Sequence, residues 1–106
     1  MADRMLWGAR PTLPLAVSEV IIDTAMETAR RSDMLAMSVV VLDAGGHMIA
    51  FKREDGSGLM RAQIAFGKAW GALGMGASSR HLRDRLTSRP TFVSALTDVS
   101  GGRFVP

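Results

Sequence analysis

The 106-residue chain contains no cysteine. Disulfides, thiolate metal sites and a cysteine nucleophile are thereby excluded. Histidine is scarce too: His47 and His81 are the only two, and they do not stand at a ligand spacing such as four apart on one helix, so no metal site is expected. Aromatics number six. None is interleaved with the basic cluster Arg80, His81, Arg83, Arg85 and Arg89, which reads as a solvated helix face rather than a nucleic-acid site. Asp84, four residues after Arg80, is expected to neutralise part of it. Long apolar runs are missing as well. None approaches the ~20 residues of a membrane span, and the amino terminus Met-Ala-Asp-Arg-Met-Leu-Trp lacks a secretory core. The expectation is a cytoplasmic protein with no membrane and no nucleic-acid partner. Ser57 and Ser78 lack the setting of a nucleophile elbow, Glu54-Asp55 are a weak pair of carboxylates, and no catalytic triad is legible.

What is present is 47% hydrophobic and 22% charged, with a net charge of +3, the composition of one small globular domain. Residues 1–12, with Trp7, Gly8 and Pro11, have no period and read as an arm whose Trp packs on something, such as a neighbouring subunit. Residues 13–106 form the domain. At its centre, Val39-Val40-Val41-Leu42 reads as a strand covered on both faces. Asp43-Ala44-Gly45-Gly46 reads as a tight turn in which Asp43 bonds the backbone. His47 to Arg53 returns as the second strand, with Ile49 and Phe51 on one face and Met48 and Ala50 on the other.

From Pro14 to Arg31, Leu15, Val17, Ile21, Ile22, Ala25, Met26 and Ala29 share a broad face opposite Glu19, Asp23, Glu27 and Arg30. That predicts an amphipathic helix laid on the hairpin, with Thr12 as its cap and Glu27–Arg31 as a supporting pair. After the Glu54–Gly58 loop, Leu59 to Met75 reads as a second helix. Its core face is Ala62, Phe66, Ala69 and Leu73. Another face aligns Gly67, Gly71 and Gly74 with Met60 and Ile64.

Each interior Gly costs about 1 kcal/mol of helix stability relative to Ala. Something must therefore approach the bare backbone closely, either another chain segment or a flat ligand. Arg61 and Lys68 flank this groove, a setting suited to an apolar body bearing carboxylates. Ser78 or Ser79 is expected to cap a helix over Arg80–Leu86. Pro90 is expected in the first turn of a short one through Leu96, before Phe104-Val105 begins an apolar strand.

Val-Val-Val-Leu-Asp-Ala-Gly-Gly-His-Met-Ile-Ala (39–50), Arg-Glu-Asp-Gly-Ser-Gly (53–58), Ile-Ala-Phe-Gly-Lys-Ala-Trp-Gly-Ala-Leu (64–73) and Arg-Pro-Thr-Phe (89–92) together resemble the GlcG/HbpS family. This is the haem-degrading domain family that includes the carboxy-terminal domain of PduO-type proteins. The resemblance implies an α+β domain, an antiparallel sheet of about five strands with helices packed on it, commonly homo-oligomeric, with haem as a candidate cofactor. It places Arg53, Asp55 and Lys68 at family positions, Arg53 and Asp55 as an ion pair across a turn. Lys68 stands as the contact for an anionic group or, if buried, as a base or Schiff-base amine.

The family pattern continues beyond Phe104-Val105-Pro106 into further strands and a helix, so a C-terminally truncated domain is expected. With only two strands, the lone subunit should be poorly stable and should depend on a homo-oligomer or a complementing chain. Three functions follow. The first is binding of haem or another carboxylated apolar small molecule, with Arg61, Lys68, Gly67, Gly71, Arg53 and His47 as candidate contacts. His47 would be an iron ligand through a neutral imidazole. The second is a cofactor-free lyase or isomerase, or an accessory subunit, in small carboxylic acid catabolism, with Lys68 as acid or base. The third is a structural assembly subunit.

Overall fold

A computed structural model describes residues 11–106 of the chain; the expected packing of Trp7 lies outside them. The order is α1 (Leu15–Arg31), β1 (Ser38–Leu42), β2 (Met48–Arg53), α2 (Arg61–Met75), α3 (Ser79–Leu86) and α4 (Pro90–Val99). This is an α+β arrangement: β1 and β2 pair antiparallel, Val40 opposite Phe51 and Val41 opposite Ala50, with a register irregularity between Val41 and Leu42. Helix α1 packs across both strands and α2 against β1. Two strands form the sheet among the described residues, against the five that the resemblance implied.

The turn forms as its chemistry dictates. Asp43 Oδ1 accepts from the backbone N–H of Gly45 and of His47, each at 2.9 Å, and Gly46 takes φ 83°, which glycine adopts without a Cβ clash. Helix α1 starts differently from expectation. Its N-cap position is Pro14, which gives no side-chain hydrogen bond. Thr12 instead accepts from Ala44 N–H at 3.3 Å, because it lies too far ahead of the first turn and beside the hairpin loop.

The far end of α1 is fixed by an arrangement that periodicity does not reveal. Arg30 donates to the carbonyls of Met34 and Leu35 and pairs with Glu54 at 2.9 Å, while Glu54 Oε1 accepts from Met37 N–H at 2.7 Å. One guanidinium thus ties the helix to the segments on either side of the hairpin. The acid that pairs at this turn is thus Glu54, with Arg30, and the expected Arg53–Asp55 ion pair does not form among the described residues. Asp84 likewise pairs with its neighbour Arg83 at 3.0 Å rather than with Arg80. Glu27–Arg31 does form, at 3.5 Å.

Only part of the apolar sector of α1 is covered. Ile22 and Ala29 are buried, whereas Leu15, Val17, Val20 and Ile21 are exposed. Two strands set 4.7–4.9 Å apart make a ribbon no wider than the helix itself. Such a ribbon meets one side of that broad sector and leaves the other bare.

At the other end, Ser78 caps α3 by accepting from His81 N–H at 3.1 Å, and Pro90 occupies the first turn of α4. Leu82 and Leu86 of α3 form a buried cluster with Phe104, against which Phe92, Val93 and Leu96 pack. Phe104-Val105 does not start a strand. The segment lies along the glycine face of α2, where Val105 N–H donates to the Gly67 carbonyl at 3.3 Å and Phe104 N–H donates to Ser100 Oγ at 3.0 Å.

Candidate functional site

The glycine row of α2 carries the sequence argument, and its outcome is mixed. Gly67 and Gly71 are buried. A Cβ on Gly67 would meet Val105 and the Arg103 carbonyl oxygen at 2.8 Å, and one on Gly71 would meet the Phe104 ring at 2.8 Å. The close approach demanded by missing side chains is therefore made by the chain's own Arg103–Val105. The expectation of an open ligand groove is corrected at Gly67, which Arg103 and Val105 cover; Gly71 lies against Phe104 and still borders a cleft on its other side. Gly74, one turn on, has nothing nearer than Trp70 at 4.0 Å and stays open.

The expected cations do not converge. Arg61 opens α2 and Lys68 lies in its middle, both exposed, and neither has an ion-pair partner among the described residues. The burial that a lysine base or Schiff-base amine requires is absent at Lys68. Arg53, at the end of β2 opposite Ser38, is exposed. His47 precedes the start of that strand, so the strand's length separates the two. No group of three or more His, Asp or Glu among the described residues is placed to hold a metal ion, and no helix among them is long and apolar enough to cross a membrane.

Two of the clefts among the described residues bear on function, one beside the hairpin turn and one between α2 and the end of α4. The first, of about 380 Å³, has apolar walls from Pro11, Leu13, Leu15 and Ile49, with His47 and Asp43 at its edge. His47 Nδ1 lies 3.2 Å from Asp43 Oδ1. The hydrogen bond from His47 N–H, reinforced by that from Gly45, holds the Asp43 carboxyl below its ordinary range against a weaker opposing effect of desolvation. An ionised carboxylate only accepts hydrogen bonds, so in the neutral imidazole this contact selects the tautomer with its proton on Nδ1, the form whose Nε2 can ligate a metal.

The second cleft, of about 190 Å³, lies between the C-terminal half of α2 and the end of α4, with Trp70, Gly74, Met75, Leu96, Arg103 and Phe104 among its walls. Trp70 also borders the turn, since a Cβ on Gly46 would lie 3.1 Å from its indole. Neither Trp70 nor Arg103 stood out in the sequence. The available signal was Trp70 set just before Gly71, and Arg103 just after Gly101-Gly102.

Residues 13–106 match the sequence model of a family described as haem degrading protein HbpS-like. No curated protein and no solved structure matches the chain.

Proposed function

The chain belongs to the HbpS-like haem-degrading protein family, a membership that supports a haem-related function at family level, and from that premise we propose that it binds haem through His47 at the cleft beside the hairpin turn. The supporting observation is the His47–Asp43 pair. Metal-ligating histidines commonly anchor the second ring nitrogen on a carboxylate or carbonyl, which fixes tautomer and orientation. Here Asp43 does so while its own position is set by two backbone N–H groups.

Fit is supported by the donor set: one imidazole with a free Nε2 beside the apolar side chains of Leu13, Leu15 and Ile49. Haem, when bound, would supply iron-centred chemistry; the chain supplies the ligand, its orientation and an apolar wall. Because the His47 side chain is 81% exposed, binding is open to solvent and exchangeable.

Titration with haemin tests this. A Soret shift at micromolar protein is expected. His47→Ala should remove the histidine-ligated spectrum and Asp43→Asn should weaken affinity by about 10-fold, while Lys68→Met, outside this cleft, should change neither. An unchanged spectrum on haemin addition, or an identical one in His47→Ala, overturns the assignment.

A second reading stands beside it. The exposed apolar side of α1 and the outer edges of a sheet that has two strands among the described residues favour self-association. Sedimentation equilibrium should give a mass above the 11.4 kDa of one chain; a monomer at micromolar concentration removes it.

A further inference from the structure

The cleft on the Trp70 side has a composition that the haem reading does not use. Its floor is bare because Gly71 and Gly74 contribute no side chains, and Met75, Leu96, Val99 and Phe104 give it apolar walls. One full charge stands at its border. The Arg103 guanidinium lies 4.4 Å from the Trp70 ring centroid, and its Nε donates to the Ser100 carbonyl at 2.9 Å.

Stacking and that hydrogen bond orient the planar group from two directions, so little side-chain entropy remains to be lost on binding. No carboxylate of the described residues pairs with Arg103. Its terminal nitrogens therefore present an oriented, uncompensated fork, the geometry that recognises a carboxylate.

We propose that this cleft is a binding site for a small aryl carboxylate, with its ring among Met75, Leu96 and Phe104 and its carboxylate on Arg103. The size argues for one ring. A cavity of about 150 Å³ holds benzene, and about 190 Å³ is available here, below the roughly 300–1,000 Å³ of sites for larger ligands. The walls argue for an aromatic ring, since a thioether sulfur, an indole and a phenyl ring favour flat π partners. The charge argues for an acid rather than a neutral molecule.

Phenylacetate is the probe, followed by ¹H–¹⁵N NMR of the Trp70 indole N–H and the Arg103 Nε–H in the whole chain. Saturable shifts of both are expected at millimolar concentration or below, with benzyl alcohol, which keeps the ring without the charge, at least about 10-fold weaker. Arg103→Gln should lose about 10-fold in phenylacetate affinity, equivalent to about 1.4 kcal/mol.

Gly74→Leu should abolish binding by filling the cleft. A Cβ there meets only ordinary contact, so the branch of the new side chain starts without a clash, and unchanged amide signals from β1 and β2 are the control that the variant is folded. Binding should persist in His47→Ala, which keeps failure here distinct from failure of the haem assignment. The proposal is overturned if phenylacetate shifts neither N–H at tens of millimolar, if benzyl alcohol binds equally well, or if Gly74→Leu binds as the parent does.

Discussion

Gly67 and Gly74 stand on the same helix, in the same row, about two turns apart, and meet opposite surroundings. At Gly67 the backbone of Arg103 and the side chain of Val105 press onto the helix; at Gly74 the surface opens into the cleft beside Trp70. Gly71 stands between them, covered by one part of the Phe104 ring while Phe104 also walls the cleft. The same residue type thus serves close packing at one end of the row and leaves an open recess at the other. Phe104 is the boundary between the two uses.

The comparison breaks most severely at Phe104, which is 4% exposed and seals Gly71 against the Leu82–Leu86 cluster. Phe104→Ala should cost about 3–5 kcal/mol, read by urea denaturation, and should also enlarge the cleft into the space over Gly71. A loss below about 1 kcal/mol would mean that the segment does not hold the helix in solution.

The sharper and smaller test sets one substitution at two positions. Alanine gains about 1 kcal/mol over glycine within a helix. At Gly67 that gain is offset by forcing the Arg103 backbone away, since a carbonyl oxygen lies 2.8 Å from the new Cβ and overpacking costs about 1–3 kcal/mol. Gly67→Ala should therefore destabilise by up to roughly 2 kcal/mol, whereas Gly74→Ala, with space around it, should stabilise by up to about 1 kcal/mol. Equal thermal shifts of the same sign would erase the distinction between packed and open glycines.

The same contrast describes what could be read from residues alone. Bare helix backbone required a close neighbour or a ligand, and the row of glycines was legible because it repeats at helical spacing. Which of the two approached was not legible, because Arg103–Val105 lies beyond two further helices and nothing local indicates that it returns. The turn at Asp43, the cap at Ser78 and the placement of Pro90 were legible for the converse reason: each depends on groups within a few residues. The Arg30–Glu54 tie spans 24 positions and the Arg103–Trp70 stack spans 33, so neither leaves a trace in periodicity. Histidine 47 was legible as a candidate, but its anchoring by Asp43 belongs to the folded turn.

The amino-acid sequence by itself determined the helices, the hairpin and the need to cover the glycine face of α2, because each follows from local backbone preference or from apolar spacing within one element; the family rests instead on the resemblance of its motifs. Tertiary structure alone decided that Phe104 and Val105 supply that cover, that Arg61 and Lys68 are left in solvent, and that Arg103 comes to rest on Trp70. Those outcomes depend on how separately formed elements close on one another. Closure is governed by burial and excluded volume among residues distant in the chain, which no local pattern encodes.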